Sequence, residues 1–254
     1  MRNLLRSEFV KISSTRMTPI LLASSVAITV MYVALYALLA GFDTGQGMTL
    51  PPLTSETSVR LVYSSVGAAY IIVLVFGIIG FTSEIRHRTL TMTYLASANR
   101  FKVIVAKLVT QFVWGVVFAL LNLAIGLPLA YLLVNRQPHF NVPVSDLLYL
   151  SIGVIFAFGL YAIFGVALGA LIQNQIAAVV GALVWVLIIE AIFISLWPSI
   201  GKWLPAGAAS GMLDARSLDG SKFLEPLEGG LLLFGYALVT MIVATLTTLK
   251  RDIS

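Results

Sequence analysis

The sequence predicts an all-α integral membrane protein with six transmembrane helices, and three observations carry that prediction. Of 254 residues, 59% are apolar and only 11% are charged, against roughly a quarter charged in a soluble domain. Several stretches longer than twenty residues carry no charge at all. Lysine and arginine gather on alternate sides of those stretches. With a mean hydropathy of +0.98, the chain suits lipid rather than water as its solvent.

The spans follow from the charge-free stretches. Met17 to Phe42, Leu61 to Ser83 and Leu108 to Asn135 contain no charged residue. Each can cross roughly 30 Å of hydrocarbon at about 1.5 Å per residue. Between Asp146 and Glu190 lie 43 uncharged residues, about 65 Å as one helix and twice what a bilayer needs. A break is therefore predicted at Gln173-Asn174-Gln175, because a helical hairpin turns in two to five residues. The reading is a single transmembrane domain over 1–254, with spans at about 17–41, 61–82, 108–134, 147–172, 176–197 and 229–249. The first apolar run is too long for a cleaved signal peptide and has no A-x-A site, so it is read as a retained helix.

Orientation follows from lysine and arginine. Arg2, Arg6, Lys11, Arg16, Arg86, Arg88, Arg100, Lys102, Lys107, Lys250 and Arg251 would share one side. Arg60, Arg136, Lys202, Arg216 and Lys222 would share the other. Eleven against five predicts that both termini are cytoplasmic, in a multi-pass protein of the cell (plasma or inner) membrane. Seven acidic residues, among them Asp43, Glu56, Asp146 and Asp214, would face outside.

The polar segments are informative one by one. In residues 2–16, Leu5, Phe9 and Ile12 follow helical spacing, while Arg6, Lys11 and Arg16 point elsewhere. That is either an amphipathic helix lying in the inner interface or a plain basic anchor. The segment Thr82–Lys107 is too long for a simple turn. A cytoplasmic helix with an apolar face (Leu90, Met92, Tyr94, Leu95) and a basic border suits docking onto a soluble partner; a solvated basic loop is the alternative. Pro198–Glu228 is rich in proline and glycine, yet Trp197, Trp203, Leu204, Met212 and Leu213 are too apolar for a free loop. Short helices or a re-entrant segment over the outer mouth are expected there.

Within the predicted spans Glu190 is the sole ionisable side chain. A carboxylate in lipid is costly, so it should face the bundle interior, a partner or water; a transport-path role and a snorkelling residue both remain open. Asn122 is a second candidate for the transport path or for an interhelical hydrogen bond. Pro128 should kink the third span, and Gly165-x-x-x-Gly169 matches a small-residue packing pattern.

Catalytic chemistry is missing. There are no cysteines, which removes disulfides, thiolate sites and cysteine nucleophiles. His87 and His139 stand in separate segments, so no metal site is expected. Gly201-Lys202 lacks the rest of a P-loop, and no H-E-x-x-H or G-x-S-x-G occurs. The basic residues flank apolar spans and form no continuous stripe, so nucleic acid is not expected as a partner.

At Thr82–Lys107 the sequence resembles the permease subunits of ABC-2-type (ATP-binding-cassette) exporters. Their first cytoplasmic loop carries an acidic residue, a basic residue and Gly-Thr-Leu, then a helix, an Arg and a Lys. Glu84, Arg86, Thr89, Leu90, Arg100 and Lys107 match, and Arg88 stands where the family has Gly. Ser7-Glu8-Phe9-Val10-Lys11 and Leu204-Pro205 are similar too. The resemblance implies a coupling helix docking on a separate ATPase subunit through Glu84, Arg86, Arg88, Thr89, Leu90, Tyr94 and Arg100. It implies short outer gate helices, with Trp203, Leu204 and Pro205 as a candidate outer gate, and two permease subunits pairing through their first and fifth spans as a homo- or heterodimer. ATP and Mg would be bound by the partner, with no cofactor and no catalytic residue in this chain. The function implied is outward movement of a hydrophobic or amphipathic substrate such as a drug, peptide or lipid. A secondary carrier or channel without an ATPase is the alternative.

Overall fold

The computed structural model describes residues 2–42, 51–87, 89, 100–215 and 223–250. These are helical, with no β-strand among them, and six helices are long and apolar enough to cross a membrane.

Helix α1 (Arg2–Ser14) leads into α2 (Met17–Leu39), the first candidate span. The second, Glu56–Arg86, is interrupted. Helix α3 (Glu56–Ser64) passes through a 3-10 turn at Ser65–Gly67 before α4 (Tyr70–Arg86) completes it. The sequence reading placed one unbroken helix from Leu61, and the break falls where Ser64, Ser65, Gly67 and Ala68 leave little side-chain bulk to hold the helix straight. Helix α5 (Arg100–Val134) is the third span and runs through Pro128. It starts eight residues before the expected membrane boundary.

Helix α6 (Val144–Ile172) is the fourth span and the centre of the bundle, packed against α4, α5 and the last helix. It ends where the polar triplet predicted. Gln173 takes a left-handed φ of 60°, and the Asn174 side chain accepts a hydrogen bond from the Ala177 N–H at 3.1 Å. A left-handed residue closes one helix and an Asn cap opens the next. Helix α7 (Gln175–Leu196) is the fifth span. Two short helices follow, α8 (Pro198–Gly201) and α9 (Pro205–Met212), and then α10 (Pro226–Lys250), which contains the sixth span.

Close backbone approach sets the packing. A Cβ on Gly165 would lie 2.2 Å from the Leu74 carbonyl oxygen, and one on Gly77 would lie 2.3 Å from that of Ala162. Only glycine lets α4 and α6 meet there, the role small residues play between membrane helices. Gly169, the other half of the predicted motif, faces Ile78 on the same helix. Spans two and four form the buried centre. The first, fifth and sixth keep most of their apolar surface outward.

Candidate functional site

Two places in the bundle concentrate polar chemistry. The first lies at the end of the bundle where α1, the end of α4 and the start of α5 meet. Lys107 is 4% exposed and Glu8 2%. The Lys107 ammonium donates to Glu8 Oε2 at 2.6 Å and to Glu84 Oε1 at 2.7 Å. Lys11 Nζ closes the group, at 2.7 Å from Glu8 Oε1 and 3.3 Å from Glu84 Oε1. The two lysines face two carboxylates, with Lys107 and Glu8 desolvated beside each other and Lys11 part-exposed at the rim. Burial works against ionisation of Glu8, but the Lys107 charge and the hydrogen bonds from Lys107 and Lys11 outweigh it. The Glu8 carboxyl is thereby held below its ordinary value of 4.5. Burial likewise opposes the charge on Lys11, and the two carboxylates overcome it and raise its pKa.

The sequence reading had the partners but not the pairing. The inward face of α1 centres on Glu8, with Leu4, Leu5, Lys11 and Ile12 beside it, while Phe9 lies half exposed, stacked on Trp114 at 5.2 Å. Glu8 and Lys11 sit one helical turn apart in the motif-like segment before the first span; that spacing was the available signal. Among the residues expected to dock an ATPase, Glu84 is drawn into this network. Arg86 is exposed at the last turn of α4, and Thr89 is exposed with its hydroxyl donating to the Glu84 carbonyl at 3.4 Å. Arg88, Leu90 and Tyr94 lie outside the described residues, as does the side chain of Arg100. A cavity of about 490 Å³ opens beside the network, between the α1–α2 corner and α4, with Lys11, Thr15, Phe76, Ser83, Glu84 and Arg86 in its wall.

The second place is the opposite end of the bundle. A cavity of about 690 Å³ lies between α2 and α7, floored by the α3–α4 break and bordered by α9. Tyr32, Tyr36 and Tyr70 line it, together with Ser64, Ser65, Ser195 and Ser210. Glu190 stands behind this wall, fully buried, and its Oε2 accepts a hydrogen bond from the Ala206 N–H at 2.6 Å. The buried residues of α7 are Ala178, Ala182, Val186 and Glu190, spaced by four. In an α-helix such a stripe drifts by about 40° per step. A π-turn over Trp185–Glu190 holds more residues per turn and keeps Glu190 in line with the others. Glu190 therefore faces the protein, not lipid.

The candidate gate residues divide. Trp203 is exposed, Leu204 is the N-cap of α9 and Pro205 is buried as its first residue. Tyr236 of α10 donates to the Trp203 carbonyl at 2.9 Å. At the other end of α9, Asp214 has a left-handed φ of 45° and pairs with Arg60, whose guanidinium also holds Glu56 at 2.7 Å and Asp146 at 2.8 Å. Sequence reasoning placed these charges on one side of the membrane but did not pair them.

Asn122 lies in neither place. It is buried between α5 and α2, donating to Ser25 Oγ at 3.0 Å and the Phe118 carbonyl at 2.7 Å and accepting from Thr29 at 2.6 Å. Those contacts fit the interhelical hydrogen bond considered for it. Gln111, a second buried amide in the third span, donates to the Phe76 carbonyl at 3.1 Å. Neither a protein-family model nor a curated protein matches the chain.

Proposed function

We propose that this chain is the membrane permease subunit of an ABC-2-type exporter. It would move a hydrophobic or amphipathic substrate outward, driven by ATP hydrolysed on a separate ATPase subunit. The observation that supports this reading most is the buried Glu8–Lys11–Glu84–Lys107 network. Glu84 ends the second span and Lys107 begins the third, so the two ends of the basic 84–107 segment are clamped together and to α1. A segment that only sets topology has no use for such bracing. A segment that receives a push needs it, because a load on 84–107 then moves α1, α4 and α5 together.

The rest of the reading follows. The end carrying α1 is cytoplasmic, by the lysine and arginine excess, with α1 at the inner interface and α8 and α9 at the outer one. Helices α2 and α7 flank the tyrosine-lined cavity and present apolar faces, where a second permease subunit would pair and enclose the path. The sequence carries no P-loop motif, and on this reading the energy enters through the partner. Leu90→Asp in the docking segment, assayed with the ATPase subunit in proteoliposomes, should abolish substrate-stimulated ATP hydrolysis while membrane insertion stays normal. Undiminished stimulation would remove the docking role from this segment.

A further inference from the structure

We propose that Glu190 is a positioning residue that moors α9 to the fifth span and so keeps the tyrosine-lined cavity covered. The assignment rests on geometry alone and does not depend on the exporter reading. Pro205 opens α9 and has no N–H, so the Ala206 N–H is the first free donor of that helix. The Glu190 carboxylate takes it at 2.6 Å, in a buried position reached from another helix. A carboxylate there also meets the positive end of the α9 dipole. At 2.6 Å the bond donated by the Ala206 N–H is at the short end of the N–H···O range.

The surroundings make this bond decisive for the segment. Gly201 packs against the backbone of Ile194, where a Cβ would come within 2.5 Å of its Cα, and Gly207 packs on the Gly201 carbonyl. Gly201 thus sets α8 against the end of α7, and Gly207 sets α9 against α8, each at backbone distance. Ala206 and Ser210 of α9 border the cavity directly. The mooring therefore sets whether that border is in place. The other ties to the segment, Tyr236 to Trp203 and Arg60 to Asp214, involve exposed or part-exposed groups, where water competes for the bond. Among these polar ties Glu190 makes the buried one, alongside the packing of α9 on α10, where a Cβ on Gly229 would come within 2.4 Å of the Ala208 carbonyl oxygen, and the π-turn presents it. The Glu190 Oε2 is turned toward a backbone amide, and Glu190 stands behind the cavity wall rather than in it.

The absence of cysteines in the natural chain provides a clean reporter background. Ser64, in the cavity floor on α3, is changed to cysteine in the full chain. Its reaction with a membrane-impermeant maleimide is then timed in lipid nanodiscs. Glu190→Met keeps the volume and loses the acceptor; Glu190→Gln keeps an acceptor oxygen. The expected result is labelling about tenfold faster in Glu190→Met, the scale of one lost hydrogen bond, with Glu190→Gln near the parent rate. An unchanged rate in Glu190→Met would overturn the proposal, and so would equal acceleration in both variants. If Glu190→Met fails to insert, hydrogen exchange in the parent chain decides. Slow exchange over 203–212, made faster in Glu190→Gln by less than tenfold, supports the mooring; fast exchange in the parent overturns it. Neither measurement involves an ATPase, so failure of the exporter reading would leave both outcomes readable.

Discussion

Lys107 joins two glutamates that are 99 and 23 residues away along the chain. Its individual charge was visible in the sequence, as were those of Glu84, Glu8 and Lys11. Their meeting was not, because pairing across that distance depends on how α1 folds back along α5. Lys107→Ala would leave two buried carboxylates sharing Lys11 alone, at a cost of about 3–5 kcal/mol. Phe9 on Trp114 offers the readout, with Trp114 kept as the sole tryptophan. The emission of the parent should hold steady from about pH 5 to pH 10 and shift to the red outside that range. The sign follows from the two shifts. Glu8 is held below 4.5, so its contribution is complete above 4.5 and is lost as the pH falls through the lowered value. Lys11 is held above 10.5, so its contribution is complete below 10.5 and is lost as the pH rises through the raised value. Lys107→Ala should be red-shifted even at neutral pH; a parent-like spectrum there would mean the network does not hold α1.

Among the elements, the hairpin at Gln173–Asn174 and the close approach at Gly165 and Gly169 were readable from local chemistry, a polar triplet and a small-residue spacing. The 3-10 break after α3 and the π-turn in α7 were not. The 3-10 break has no proline or charge to mark it, and Glu190 at the end of the π-turn marks a buried acid rather than a change of helix type; both arise from what the helices pack against. The same distinction predicts which glycines tolerate a side chain. Gly165→Val forces a branched side chain against the Leu74 carbonyl and should lower stability by about 3 kcal/mol or more. Gly181→Ala, where a Cβ meets nothing within 4 Å, should leave it unchanged. Thermal unfolding in detergent compares the two. Equal midpoints would show that the α4–α6 contact is looser than the backbone spacing implies.

At the scale of the molecule, hydropathy and charge were enough to find six helices, because a bilayer sets both their length and their composition. On the proposed reading the loops carry the function, and there the sequence offered composition and a resemblance rather than geometry. The bracing of residues 84–107 by α1 is what the structure adds in support of a coupling role. Co-expression with candidate ATP-binding-cassette ATPase subunits, followed by affinity purification of this chain in mild detergent, tests that role most directly. The account predicts that one ATPase subunit is recovered in stoichiometric amount and is lost with Leu90→Asp, while this chain itself stays intact. Recovery of the chain alone from every pairing, monodisperse and stable, would contradict it.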